Sequence, residues 1–147
     1  MTFRYALQKV VDLKGSEKSL AEWEYAASLG KLKDEEERFR ELLEERASVE
    51  QELQAASERP TPLAKLTMLQ RYIEILDERI IRQTEGVRCA ASDVQTSQGR
   101  LTDKMIDEKV WLNAREKAYD RFKHDKLAKE QGELDEMAIV RSSAARG

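Results

Sequence analysis

The chain has 147 residues, with 26 Lys and Arg against 29 Asp and Glu, a formal net charge of −3 and 37% charged residues. That balance argues against nucleic acid as a partner, because neutralising phosphates takes a clustered cationic surplus. Hydrophobic residues make up 40%, with 6 Gly and only 2 Pro, the profile of long helices with a narrow apolar stripe rather than of a globule with a thick core.

The first arm spans about residues 3–57. Its opening Met1-Thr2-Phe3-Arg4-Tyr5 lacks the apolar run and small-residue cleavage site of a signal peptide. One heptad position recurs at Arg4, Val11, Lys18, Tyr25, Leu32, Phe39, Arg46 and Leu53. A second recurs at Leu7, Lys14, Ala21, Ser28, Glu35, Leu42, Val49 and Ala56. Spacing by seven sustained over a whole arm is the mark of a left-handed coiled coil.

Both prolines fall in Ser57-Glu58-Arg59-Pro60-Thr61-Pro62, where a missing amide donor and a fixed φ stop the helix. The turn is expected at about 58–62, with Thr61 capping the next helix and Pro62 at its first position. The second arm then runs over about 63–138, ahead of a frayed tail at 139–147. Leu66, Ile73, Ile80, Val87, Val94 and Leu101 hold one seam position, and Leu69, Leu76, Gln83 and Ala90 the other. Past Leu101 the better apolar set is Met105, Leu112 and Tyr119, beside Trp111 and Phe122; that set implies a four-residue phase shift which would unwind the supercoil locally.

A turn of about five residues sets the arms antiparallel. The expected fold is therefore all-α, a single antiparallel two-helix coiled coil over 1–147 with arms of about 80 and about 110 Å at 1.5 Å per residue. Facing residues then have numbers summing to about 121, from a turn of that length. The rule sets Lys18 against Asp103, Lys14 against Asp107, Arg46 near Glu74 and Glu78, and Glu35 near Arg82 and Arg88. Polar seam residues of this kind fix register. The rule also sets the small residues 25–30 against 89–92, a section read as flexible or as simple tolerance of small side chains.

Little here suggests chemistry. Cys89 is the single cysteine; it excludes an intrachain disulfide, suits a reducing cytoplasm and reads as a small packing residue. His124 has no second ligand at helical spacing, and Asp34-Glu35-Glu36-Glu37 points its carboxylates in different directions. No phosphate loop, nucleophile–base pair, metal site or cofactor site is present, so an enzyme is not expected. Nor does any stretch approach the apolar length of a membrane span.

Three features exceed a bare seam. Phe3 and Tyr5 on one arm and Trp111, Tyr119 and Phe122 on the other gather at the end of the paired arms, past which, after about residue 120, the longer second arm is expected to overhang or break away. The run Arg115–Lys123 can turn cations outward toward a protein ring. Near the turn, Leu69, Tyr72, Ile73, Ile75, Leu76, Ile80 and Ile81 offer more apolar surface than one seam can bury, which favours docking or self-association.

The segments Phe3–Lys14, Leu69–Asp77 behind a proline turn, Arg115–Lys117 and Leu134–Ala138 resemble, in order, the start, middle and end of the flagellar type III export protein FliJ family. That resemblance implies a coiled coil similar to the stalk of rotary ATPases. It implies a terminal end, with Leu7, Val11, Arg115, Tyr119, Arg121 and Phe122, that enters the export ATPase hexamer and promotes its assembly and turnover. It implies that Leu42, Tyr72 and Leu76 face the export gate, that export chaperones bind, and that the protein works in the cytoplasm at the inner membrane below the flagellum, peripheral to the membrane through its partners. Arg79 and Gln83 stand where that family's pattern has smaller or ring-bearing residues. The alternatives are the equivalent stalk of a virulence secretion system and a scaffold that self-associates through Tyr72–Ile81.

Overall fold

A computed structural model describes residues 2–146. The described residues form two helices, α1 (Gln8–Ser57) and α2 (Leu63–Arg146), and no strand. The helices pack antiparallel as a hairpin, the expected fold. Their contacts fall into two compact units, Leu20–Thr102 around the turn and Met1–Ser19 with Asp103–Gly147 at the termini.

In the turn unit the burial pattern of α1 follows the heptads: Tyr25, Ser28, Leu32, Glu35, Phe39, Leu42, Arg46, Val49, Leu53 and Ala56 are buried or half-buried. Val49, Ala56, Leu69 and Leu76 form the core, with Leu42, Leu53, Leu66, Tyr72 and Ile73 packed against it. Ala56 and Leu76 are both 0% exposed. Each core residue has one partner helix and no second layer, so the stabilisation comes from a seam, at about 25 cal/mol per Å² of apolar area removed from water.

The turn itself differs from the expected cap. The Thr61 hydroxyl donates to the Ala56 carbonyl at 2.7 Å and lies 3.1 Å from that of Arg59. It therefore satisfies the end of α1 instead of the start of α2. The Pro62 carbonyl accepts the amides of Lys65 at 3.1 Å and Leu66 at 3.4 Å, so Pro62 precedes the first helical residue rather than being it. Proline serves there because its fixed φ directs the chain into the helix.

Polar seam residues find partners close to, but not at, the expected ones. Arg46 binds Asp77, between the two glutamates the rule named. Glu35 accepts from Gln83 and lies 3.6 Å from Arg38. Ser28 and Ser97 share a hydrogen bond of 2.6 Å across the helices. Cys89 is exposed, and its neighbour Ala90, at 2%, takes the packing position.

The terminal unit corrects three expectations. No four-residue phase shift occurs: the half-buried positions continue at spacings of three and four through Lys104, Glu108, Trp111, Arg115, Ala118 and Phe122. Met105, Leu112 and Tyr119 face outward at 53%, 44% and 43% exposure. The ionic contacts explain the outcome. Lys14 meets Asp107 at 2.9 Å as expected, Lys18 reaches Glu108 at 2.8 Å, further along α2 than Asp103, and Lys104 reaches Glu17 at 3.3 Å. A shifted register would separate these groups and bury Met105 at their expense. The second correction is at the start, where helix begins at Gln8 rather than near residue 3 and Phe3, ahead of the helix, packs against Tyr119 and Phe122 of α2. The third is at the end, where α2 runs to Arg146 instead of stopping near 138.

Candidate interaction surfaces

Phe3 organises the terminal site. Its ring stands edge-on to Tyr119 at 5.2 Å, lies 5.4 Å from Phe122 and stacks near Tyr5 at 6.4 Å. The Arg115 guanidinium sits 5.7 Å from the same ring centroid, while its Nε donates to Gln8 Oε1 at 2.7 Å. Cation–π attraction ties the non-helical residues 2–7 to α2 through Phe3, and the hydrogen bond ties the first residue of α1 to the same arginine. The Leu7 carbonyl accepts the Val10 and Val11 amides at 3.0 and 3.2 Å, which nucleates α1.

The six terminal candidates therefore divide. Val11 is buried at 7% and belongs to the seam. Arg115 and Phe122 are half-buried and committed to Phe3. Leu7 and Tyr119 are exposed at 44% and 43%, and Arg121 is exposed. Of the expected aromatic cluster, Trp111 sits half-buried in the seam, away from the Phe3 rings.

Near the turn, Leu76 is fully buried and Leu42 packs on the core, so both belong to the seam. Tyr72 is half-buried, and its hydroxyl donates to the Glu45 carboxylate. That bond, together with burial and the negative charge of Glu45, raises the Tyr72 pKa above its usual 10.0. Beside it Leu63, Met68 and Ile75 line a shallow groove with Thr67 and Arg71, and they are 77%, 62% and 46% exposed. Met68 and Leu63 escape a reading by heptads because they lie off the seam. Met68 has a signal in the sequence, since it and Ile75 form an apolar row one residue ahead of the seam positions Leu69 and Leu76, while Leu63 lies off that row.

Among the described residues, no three His, Cys, Asp or Glu side chains gather as metal ligands, and no helix is long and apolar enough to cross a membrane. Tyr72 apart, the ionisable side chains with perturbed pKa values belong to ion pairs: Lys14, Arg40, Arg46 and Arg88 are raised by their carboxylate partners, and Glu85 is lowered by the hydrogen bond from Arg88.

A helical hairpin with polar seam pairs, an aromatic clasp between its first residues and α2 and an apolar groove near its turn defines an all-α coiled-coil protein. The match to the flagellar FliJ protein family covers residues 3–147, and the chain belongs to that family, a component of the type III export apparatus. The flagellar FliJ protein of Bacillus subtilis (strain 168) is 24% identical over 139 residues, 95% of each chain. Among solved structures, a YscO homologue from Chlamydia trachomatis shares the fold, with a TM-score of 0.75 and 20% identity over 99% of this chain and 98% of that one.

Proposed function

We propose that this chain is a non-catalytic stalk component of flagellar protein export, stimulating the export ATPase through its terminal unit and meeting the export gate through its turn unit. The observation that supports the reading is the aromatic clasp: Phe3, Arg115 and Phe122 hold the first residues of the chain against α2, with Leu7, Tyr119 and Arg121 exposed beside them. An aromatic and cationic end on two closely paired helices suits entry into a ring of subunits. Hydrolysis stays with the partner.

At the gate, Tyr72 with Met68 and Ile75 forms the contact surface, and Leu42 and Leu76 support it from the core. Export chaperones are further partners in this reading. The protein then works at the cytoplasmic face of the inner membrane and is held there by its partners.

The test is the hydrolysis rate and hexamer fraction of the cognate export ATPase with and without this protein. Both should rise with the native chain and rise less with Arg121→Glu, an exposed change that spares the Phe3 clasp. No effect of the folded native chain on either quantity would overturn the ring assignment.

A further inference from the structure

The outward apolar residues of α2 in the terminal unit form a line. From Met105 the sequence steps to Leu112, Tyr119, Leu127 and Leu134, intervals of seven or eight that match two turns of about 3.6 residues. All five face solvent, at 53%, 44%, 43%, 58% and 60% exposure, and Met137 extends the line at 55%. The seam beside it recurs by seven as far as Phe122, on a distinct face of the helix, and beyond Phe122 every described residue of α2 is exposed.

Lys109, Glu116, Lys123 and Glu130 fall between these residues on the same line, seven apart and alternating in sign. All four are exposed. None has an ion-pair partner among the described residues, in contrast to Lys14, Lys18 and Lys104 in the seam of the same unit. An alternating series with an even number of members complements itself when reversed. Laid antiparallel on its own copy about a two-fold axis between Tyr119 and Asp120, the line brings Lys109 to Glu130, Glu116 to Lys123, Leu112 to Leu127 and Met105 to Leu134. Of the five apolar residues from Met105 to Leu134 all but Tyr119 meet an apolar residue, each of the four charges meets its opposite, and the two Tyr119 side chains flank the axis. A closed two-fold interface requires this self-complementarity.

We infer that a second copy of this chain docks antiparallel on this face, forming a symmetric dimer through Met105–Leu134 of α2. The occupant is assigned by charge and register together. A foreign helix would need the same spacing and alternation, whereas the second copy has both by construction. The inference does not rest on the ring assignment, but it bears on it: the dimer covers Tyr119 and its surroundings, so a chain held in the dimer cannot present that end to a ring. Self-association and ring entry are then mutually exclusive uses of one surface.

Sedimentation equilibrium of the isolated full-length protein over micromolar to millimolar concentration tests this directly, with circular dichroism confirming helix in each variant. The native chain should show a reversible monomer–dimer equilibrium. Lys109→Glu places like charges opposite each other twice per dimer and should raise the dissociation constant about tenfold. Adding Glu130→Lys to that variant restores opposite charges with the order exchanged and should return the constant to near its native value. Ile75→Asp, on the turn unit, should leave it unchanged. A native chain that stays monomeric at all concentrations overturns the proposal. So does a dimer that is indifferent to Lys109→Glu, is not rescued by the second change, or is dissolved by Ile75→Asp.

Discussion

Two glycines of α2 in the turn unit offer a controlled comparison. A Cβ added at Gly99 meets nothing within 4 Å, whereas one at Gly86 lies 3.1 Å from Glu35 Oε2 and 3.8 Å from Gln83 Nε2. Replacing a helical glycine by alanine stabilises by about 1 kcal/mol through backbone entropy. Gly99→Ala should deliver that gain in full, raising the melting temperature by about 3 °C for a chain of this size. Gly86→Ala has the same gain but must displace a carboxylate that Gln83 holds in the seam. A hydrogen bond to a charged group contributes about 1.5–3 kcal/mol, so the net change should be a loss of about 1 kcal/mol. Thermal and urea unfolding followed by circular dichroism would separate the two variants by about 6 °C, using the same entropy scaling. Combining Gly86→Ala with Glu35→Ala removes the obstruction, and the double-mutant cycle should show strong coupling. If Gly86→Ala is stabilised as much as Gly99→Ala, Gly86 is not a seat for Glu35 and the notch reasoning is wrong.

Leu76→Ala empties the one large side chain that is fully buried among the described residues and should cost about 2–5 kcal/mol in urea unfolding; a loss below about 1 kcal/mol would mean that the helices close over the gap. The raised pKa of Tyr72 has a definite sign. Its contribution is fully present below pH 10, the usual value, and is lost as pH rises through the higher folded value, because the native state keeps the proton longer. Ultraviolet titration of native protein against Tyr72→Phe should show one late-ionising phenol missing from the variant. In the terminal unit the seam contacts of Lys14, Lys18 and Lys104 are ionic and partly exposed. Molar salt should therefore reduce amide protection over residues 8–19 by hydrogen exchange, with little change around Leu69 and Leu76.

How much of this was legible in the sequence depends on where apolar residues dominate the seam. Along α1 the heptads name the inward residues from Val11 to Ala56, because a period of seven leaves few alternatives once the turn fixes the pairing. The signal fails past Leu101. There hydrophobicity favours Met105, Leu112 and Tyr119, while the chain keeps its register through Lys104, Glu108 and Arg115. Ion pairs reaching across from α1 hold that register, and one strand of sequence read alone cannot display them. Facing partners were predicted to within about a turn, the scatter expected when long side chains lean along the helix axis. Thr61 was misplaced for a different reason: its hydroxyl can serve either helix end, and only the closed turn decides. Among the site residues, Phe3, Tyr119 and Phe122 could be grouped from the sequence, but the burial of Leu76 beneath Tyr72 could not. Position in the heptad says which side a residue faces and not how much of it remains in contact with water.

The single seam also bears on how the sequence can vary. A hairpin of this kind constrains roughly two positions in every seven, and the terminal unit shows that even those accept lysine and glutamate when the opposite helix answers them. The other five carry almost no folding information. That leaves most of the alphabet free to change from lineage to lineage, consistent with a relative only 24% identical across 95% of its length and a shared fold at 20% identity. The same freedom means that two heptad rows on one helix can be selected separately, one for holding the hairpin shut and one for choosing what lies against it. Residues retained off the seam across distant relatives would then mark partners rather than structure.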